Sequence, residues 1–277
     1  MPWTDEAIMS SVMQPNKDVL VLEVMTKKRG RCKLKVTLDD KPIPPLYPGC
    51  TLRLTQLDTG MGEMPDAELH DASGGLENAD TNLQGMVVLQ AMRSMMTTFL
   101  PMYEPARKVY ESATRLIPVL RDGDGRWPVY YLKWELDILN ALGFSGGLER
   151  CETAFRHGEA IYISPRTGRS ASRAEAGAFL DRMIPVPGFF MGKKTATTAD
   201  VRQGHEMTAM LFRKFAMPPL GLSEMPDDRA EVVFAMENVR DVTMFNEGDD
   251  ENFDEEAYRR RLLSLRTLRV AERSSAS

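Results

Sequence analysis

The stretch Tyr130–Cys151, YYLKWELDILNALGFSGGLERC, decides how the rest of the chain is read. Leu132, Leu136, Leu139 and Leu142 recur at three- and four-residue spacing, which places them on one face of a helix. Lys133, Glu135, Asp137 and Asn140 lie off that stripe and are expected to face solvent or a partner. Gly143 follows the last periodic leucine, where a helix end calls for a left-handed residue, and Phe144 supplies the hydrophobic contact of such a cap. The spacing predicts a capped, buried helix, with Trp134 read first as packing.

Working upstream, Pro128 suits the first turn of that helix and Gly123–Gly125 reads as a loop. A helix beginning at Glu104-Pro105 carries Val109, Leu116 and Ile117, and Pro118 ends or kinks it. Another is expected over Leu83–Leu100, capped by Asp80-Thr81 and stopped by Pro101. Ser73-Gly74-Gly75 marks a change of pattern, because everything before it reads as β. Ala7–Met13 and Val19–Met25 are apolar, β-rich runs separated by Gln14-Pro15-Asn16. Lys27-Lys28-Arg29-Gly30 is the next turn. After it Arg31, Lys33 and Lys35 alternate with Cys32, Leu34 and Val36, a half-buried strand. Lys41–Pro45 is a loop, Cys50–Asp58 a fourth strand and Glu63–Asp71 a weak fifth. Five short strands in so small a segment suggest a barrel of the OB type. The expected fold is α+β: an N-terminal OB-fold β-barrel over residues 1–78, then an α-helical domain over 79–245.

Downstream, residues 146–196 are rich in glycine, serine and proline and read as an irregular insertion with one short strand at Ala160–Ser164. Glu206–Phe215 and Asp227–Val239 resume helices. The 19 methionines read as adaptable core filling on these apolar stripes. Residues 246–277 are expected to form a charged, disordered tail, with the acidic run Glu247–Glu256 followed by Arg259–Arg261, Arg266 and Arg269.

The 277 residues, 43% hydrophobic and 27% charged, are those of an ordinary soluble protein long enough for two domains. No apolar run reaches the roughly 18–20 residues of a membrane span, and MPWTDEAI lacks the basic start of a signal peptide. Cys32, Cys50 and Cys151 form neither a disulfide framework nor a zinc motif, so a reducing cytoplasm is expected. A net charge of −5 argues against indiscriminate nucleic-acid binding but leaves room for a local basic face.

Enzyme chemistry finds little support. His70, His157 and His205 stand in no metal-binding spacing, and no nucleophile elbow or complete phosphate loop occurs. Gly192-Lys193-Lys194-Thr195 only echoes the end of such a loop. Nucleic acid is the sharper expectation. Lys27, Lys28, Arg29, Arg31, Lys33 and Lys35 would put six cations on one hairpin, the kind of surface that tracks a phosphate backbone; a solvated strand face is the alternative. Arg166, Arg169 and Arg173 form a second cluster, whose glycine and serine neighbours could leave backbone N–H groups free for an anion. The alternative is a structural loop in which they pair with Glu149, Glu152 or Glu175.

The K-W-E-L run at Lys133–Leu136, read with Glu159–Phe190 (EAIYISPRTGRSASRAEAGAFLDRMIPVPGFF), resembles the RecO family of recombination mediators. The resemblance is strong over Tyr130–Phe190 and fades after about Lys193. It implies an OB-fold followed by a helical domain, and no enzymatic activity or cofactor. It also implies binding and annealing of single- and double-stranded DNA, and cooperation with RecR in loading RecA onto SSB-coated DNA. The helical domain would hold the acidic C-terminal tail of SSB, with Lys133 and its neighbour Trp134 as the implied contacts. Three departures stand out. Leu132 occupies a position that is often basic, Cys151 alone remains of a four-cysteine zinc site some members carry, and Leu38-Asp39-Asp40-Lys41-Pro42 replaces a basic loop. No structural metal is therefore expected.

Overall fold

The computed structural model describes residues 2–38, 43–57, 64–144 and 146–237. The charged tail and the Asp39–Pro42 part of the loop after the third strand lie outside them. Five strands open the chain: β1 (Trp3–Asn16), β2 (Val19–Thr26), β3 (Gly30–Thr37), β4 (Thr51–Gln56) and β5 (Ala67–Ser73). They form one antiparallel sheet in the order β3-β2-β1-β4-β5. The alternation read in β3 is realised, with Cys32, Leu34 and Val36 buried against β1, β2 and β4 residues such as Ala7, Leu22 and Leu52. β1 runs longer than expected, to Asn16, because bulges near Ser10 and beyond Met13 bend it and move the turn to Lys17-Asp18. The edges of the sheet touch where the Lys35 amide donates to the Pro65 carbonyl at 2.8 Å and Lys35 bridges Asp66. No longer β3–β5 ladder closes a barrel among the described residues.

Helices α1 (Leu83–Phe99), α2 (Arg107–Arg121) and α3 (Trp127–Ala141) follow. The cap of α1 is Asn82, whose Oδ1 accepts from Gly85 N at 2.8 Å, and not Asp80 or Thr81; the Thr81 hydroxyl donates to the Asn78 carbonyl instead. Pro118 sits inside α2, which continues one turn to Arg121. The end of α3 is as its sequence predicts. Gly143 takes φ +85°, its N–H donates to the Asn140 carbonyl and Phe144 N to the Leu139 carbonyl.

The insertion contains the short turns α4 (Glu152–Arg156) and α5 (Arg173–Ala176) and a three-stranded sheet. Its strands β6 (Ile161–Ile163), β7 (Ser170–Ser172) and β8 (Ile184–Pro185) lie in the order β7-β6-β8. Only β6 was expected; the other two are too short to show a period. Helix α6 (Thr198–Leu211) begins eight residues before the expected Glu206, behind a capping box made by Thr197 and Asp200. A π turn over Phe212–Ala216 ends it, and α7 (Asp227–Glu237) completes the described chain.

Sheet and helices share apolar packing. Ile8 and Met25 join the helical core of Met92, Phe99, Leu116, Trp127 and Trp134. Gly30 lies at this junction with φ +71°, and a Cβ there would stand 1.7 Å from the Glu104 carbonyl oxygen. Only glycine permits that approach.

One expectation for the central helix is overturned. Glu135, placed by its position beside the leucine stripe on the solvent side, is 0% exposed. Its two oxygens accept from Arg229 of α7 at 2.6 Å (Nε) and 2.9 Å (Nη2), a bidentate pair, and the second also accepts from the Thr208 hydroxyl of α6 at 2.6 Å. Arg229 Nη1 lies 3.0 Å from His205 Nε2. Burial, with Arg229 beside it, pushes His205 down to about 4, so the imidazole is neutral and its Nε2 accepts. Removing one partner of a buried pair strands the other. Glu135→Gln is therefore expected to cost about 3–5 kcal/mol of unfolding free energy in urea titration. Exposed Glu206→Gln should change it by less than about 0.5 kcal/mol.

Candidate nucleic-acid and peptide-binding surfaces

The β2–β3 hairpin holds its six cations in different ways. Lys27 pairs with Glu6 at 3.1 Å and Lys35 with Asp66 at 2.9 Å, both partly exposed. Such pairs are worth at most about 1 kcal/mol and exchange readily for phosphate. Arg29 lies over the Trp3 ring at 5.1 Å, the Lys28 amide donates to Asp5 Oδ2 at 2.8 Å, and neither exposed side chain forms an ion pair among the described residues. Lys33 stands opposite Glu23 in the ladder, but that carboxylate accepts from Ser11 at 3.0 Å and Arg93 at 3.3 Å. Arg31 departs from the expected phosphate role. Its Nη1 donates to the Thr97 and Leu100 carbonyls at 3.2 and 2.7 Å, so it caps the C-terminus of α1. Burial lowers its pKa against the opposing pull of Glu23.

The insertion arginines sit on or next to the β6–β7 hairpin. Arg166 and Arg169 flank its tip and Arg173 opens α5; all three are exposed. Pairing with Glu149, Glu152 or Glu175 is not what holds them. Glu152 binds Arg156 at 2.7 Å, and Glu175 accepts from the Ser172 amide at 2.8 Å. The expected supply of free backbone N–H groups is also corrected. Thr167 N donates to Ser164 Oγ, Gly168 N to the Ser164 carbonyl and Ser170 N to the Gly146 carbonyl. Positive charge here comes from side chains alone.

On α3, Lys133 is half-buried, and its pKa is lowered by burial and by nearby Arg115. It lies between two grooves. One, about 270 Å³, is lined by Arg126, Tyr130, Phe189, Lys193 and Lys194; the other, about 400 Å³, by Arg115, Leu136, Asp137, Phe190 and Met191. Of the four further cations, Lys193 and Lys194 are distant in the chain and registered only as part of an incomplete phosphate loop, and Arg115 lies on the preceding helix; Arg126, the N-cap of α3 seven residues before Lys133, was within reach of the helical spacing and was missed. Trp134, implied as a second peptide contact, is 0% exposed and packs against Tyr131 with ring centroids 5.6 Å apart. It presents no surface to a ligand. Leu132 is likewise fully buried. Among the described residues no group of three or more His, Cys, Asp or Glu could hold a metal ion, and no helix is long and apolar enough to cross a membrane.

Residues 81–214 match the family model described as Recombination protein O C terminal. A DNA repair protein RecO of Cereibacter sphaeroides is 32% identical over 238 residues, which is 84% of this chain and 97% of the relative. The chain belongs to the RecO family. RecO proteins of Roseobacter denitrificans and Methylorubrum extorquens match at 28% and 29% identity, again over 84% of this chain and 97% of each relative. It is a DNA repair and recombination protein, and RecO proteins are non-enzymatic mediators. The RecO family model spans α1 to α6 and their insertion, so the Lys133 grooves and the insertion arginines lie within it.

Because Trp134 is core, its truncation should act on stability. Trp134→Ala is expected to lose about 3–5 kcal/mol in equilibrium unfolding. A residue serving only as a surface contact would leave the unfolding midpoint where it was.

Proposed function

We propose that this chain is a recombination mediator that binds and anneals single- and double-stranded DNA and, with RecR, helps load RecA onto SSB-coated single strands. The residues before about 78 form the DNA-binding part and those after it the helical part that receives partners. The observation that carries the DNA reading is the trio Lys28, Arg29 and Lys33, cations of one hairpin that form no ion pair among the described residues, flanked by the weakly paired Lys27 and Lys35. Arg166, Arg169 and Arg173 extend the same chemistry on the insertion. Arg31 contributes by fixing the hairpin to α1.

Fluorescence anisotropy with labelled single-stranded DNA across a salt series tests this. Affinity should fall steeply with salt, and the triple variant Lys28→Glu, Arg29→Glu, Lys33→Glu should flatten the log–log slope by about 2. Wild-type protein that fails to bind at low salt would overturn the DNA reading and leave a protein-interaction scaffold for SSB and RecR.

The second part of the proposal concerns SSB. An acidic peptide ending in an aromatic residue finds cations beside Lys133 in Lys193 and Lys194, with Arg126 paired to Asp124 at the edge, and an apolar lining in Val129, Tyr130 and the largely buried Phe189. Lys133→Glu is expected to weaken binding of an SSB C-terminal peptide about tenfold or more in anisotropy, without loss of DNA annealing. Unaltered peptide affinity would remove Lys133 from the contact.

A further inference from the structure

A third cavity, about 360 Å³, lies between the loop after α3 and the tip of the β6–β7 hairpin, and meets the larger Lys133 groove at Glu149. Its walls combine two kinds of group. Arg150 and Arg169 are exposed guanidiniums with no carboxylate partner among the described residues, and Thr167 adds a hydroxyl. Phe144 and Phe215, partly buried, with ring planes inclined at 29° and centroids 6.4 Å apart, supply an aromatic wall. Glu149 is the one carboxylate on the lining.

The cavity is built rather than incidental. Ser170 ties its two loops together, its N–H donating to the Gly146 carbonyl at 2.7 Å and its hydroxyl to the Gly147 carbonyl at 2.8 Å. Lys214 Nζ holds the Pro165 carbonyl at 3.2 Å. Gly168, with φ +69°, lets the hairpin tip approach the Phe215 ring, which a Cβ would meet at 3.0 Å. Phe215 itself stands on the π turn Phe212–Ala216, where Met217 N donates to the Phe212 carbonyl; such turns recur at functional sites.

We propose that this cavity binds one nucleoside monophosphate unit, with its base against the Phe144/Phe215 wall and its phosphate between Arg150 and Arg169. Planar forked guanidiniums match phosphate oxygens, and an aromatic face accepts any base. The volume falls at the small end of ligand sites, enough for a single nucleotide and not a longer strand. The unit comes either from a phosphorylated DNA end or from a free nucleotide. The inference deepens the DNA reading and rests on it for the first source.

The test uses the full chain and two single strands labelled at the 3′ end, one with a 5′-phosphate and one with a 5′-hydroxyl. The ratio of their affinities is the readout, so a general loss of affinity does not confuse it. The wild type should prefer the phosphorylated strand about tenfold, Arg150→Ala should bring the ratio to one, and Arg150→Lys should keep part of it. Millimolar dAMP that abolishes the preference assigns the pocket to free nucleotides as well; failure to compete assigns it to strand ends. A wild-type ratio of one overturns the proposal while leaving DNA binding intact, and so does a ratio that survives Arg150→Ala. Should neither strand bind, the DNA reading fails separately, and calorimetry with dAMP decides: saturable binding lost in Arg150→Ala sustains the pocket, and absence of binding overturns it.

Discussion

The buried pairing of Glu135 with Arg229 sets the orientation of the central helix, and with it the side on which Lys133 stands. Two charges withdrawn from water must satisfy each other completely, and here they do so through two hydrogen bonds, with Thr208 and neutral His205 taking the remaining positions. The pair joins α3 to α7 across 94 residues of sequence and α6 closes over it. Successive helical residues turn by about 100°, so Lys133, two residues before Glu135, points roughly the opposite way. Fixing Glu135 inward therefore presents Lys133 outward, between its two grooves. A hydrophobic replacement could fill the same space, but it would not select one rotation of the helix so strictly.

A similar division of labour runs through the basic hairpin. Six cations alternate or cluster there, yet Arg31 bonds the last carbonyls of α1 and so makes the strand a strut between sheet and helices. Gly30 beside it lets the Glu104 carbonyl close in. The charges left for a polyanion are those whose partners are absent or weakly held, and they lie at and just after the turn. An overall charge of −5 is compatible with this because the cations are concentrated on one hairpin, while many of the acids are gathered far along the chain in the run Glu247–Glu256.

What could be read from the sequence follows the range of the interaction. The strand alternation of Arg31–Val36, the cap at Gly143 and the first-turn Pro128 are local signals, and each appears in the structure as read. The burial of Glu135 was not legible, because its partner sits on another helix far along the chain and its neighbours on α3 are compatible with exposure. Strands β7 and β8 have three and two residues, too few for a period. The early start of α6 did leave a signal, Thr197 three residues before Asp200, but the apolar stripe begins later and drew the boundary with it. For the surfaces, Lys133 and the basic residues were found by type and spacing. Lys193 and Lys194 join them only through folding, whereas Arg126 is the N-cap residue of the helix that carries Lys133.

The insertion shows how an irregular segment can be held without a long element of its own. Its strands are short, so single hydrogen bonds carry the geometry: Ser170 reaches Gly146 and Gly147, and the Cys151 thiol lies 3.4 Å from the Ser170 hydroxyl. These contacts link the end of α3 to the β6–β7 hairpin. Because the backbone donors of the hairpin tip are consumed by this stapling, its affinity for an anion must rest on guanidinium side chains. Those side chains are long and solvated, and they gain direction only from what surrounds them. The glycines that admit Phe215 beside the tip, and the π turn that carries it, provide that surrounding wall. The backbone of the tip is thereby fixed by hydrogen bonds while the guanidinium ends of Arg166 and Arg169 stay exposed.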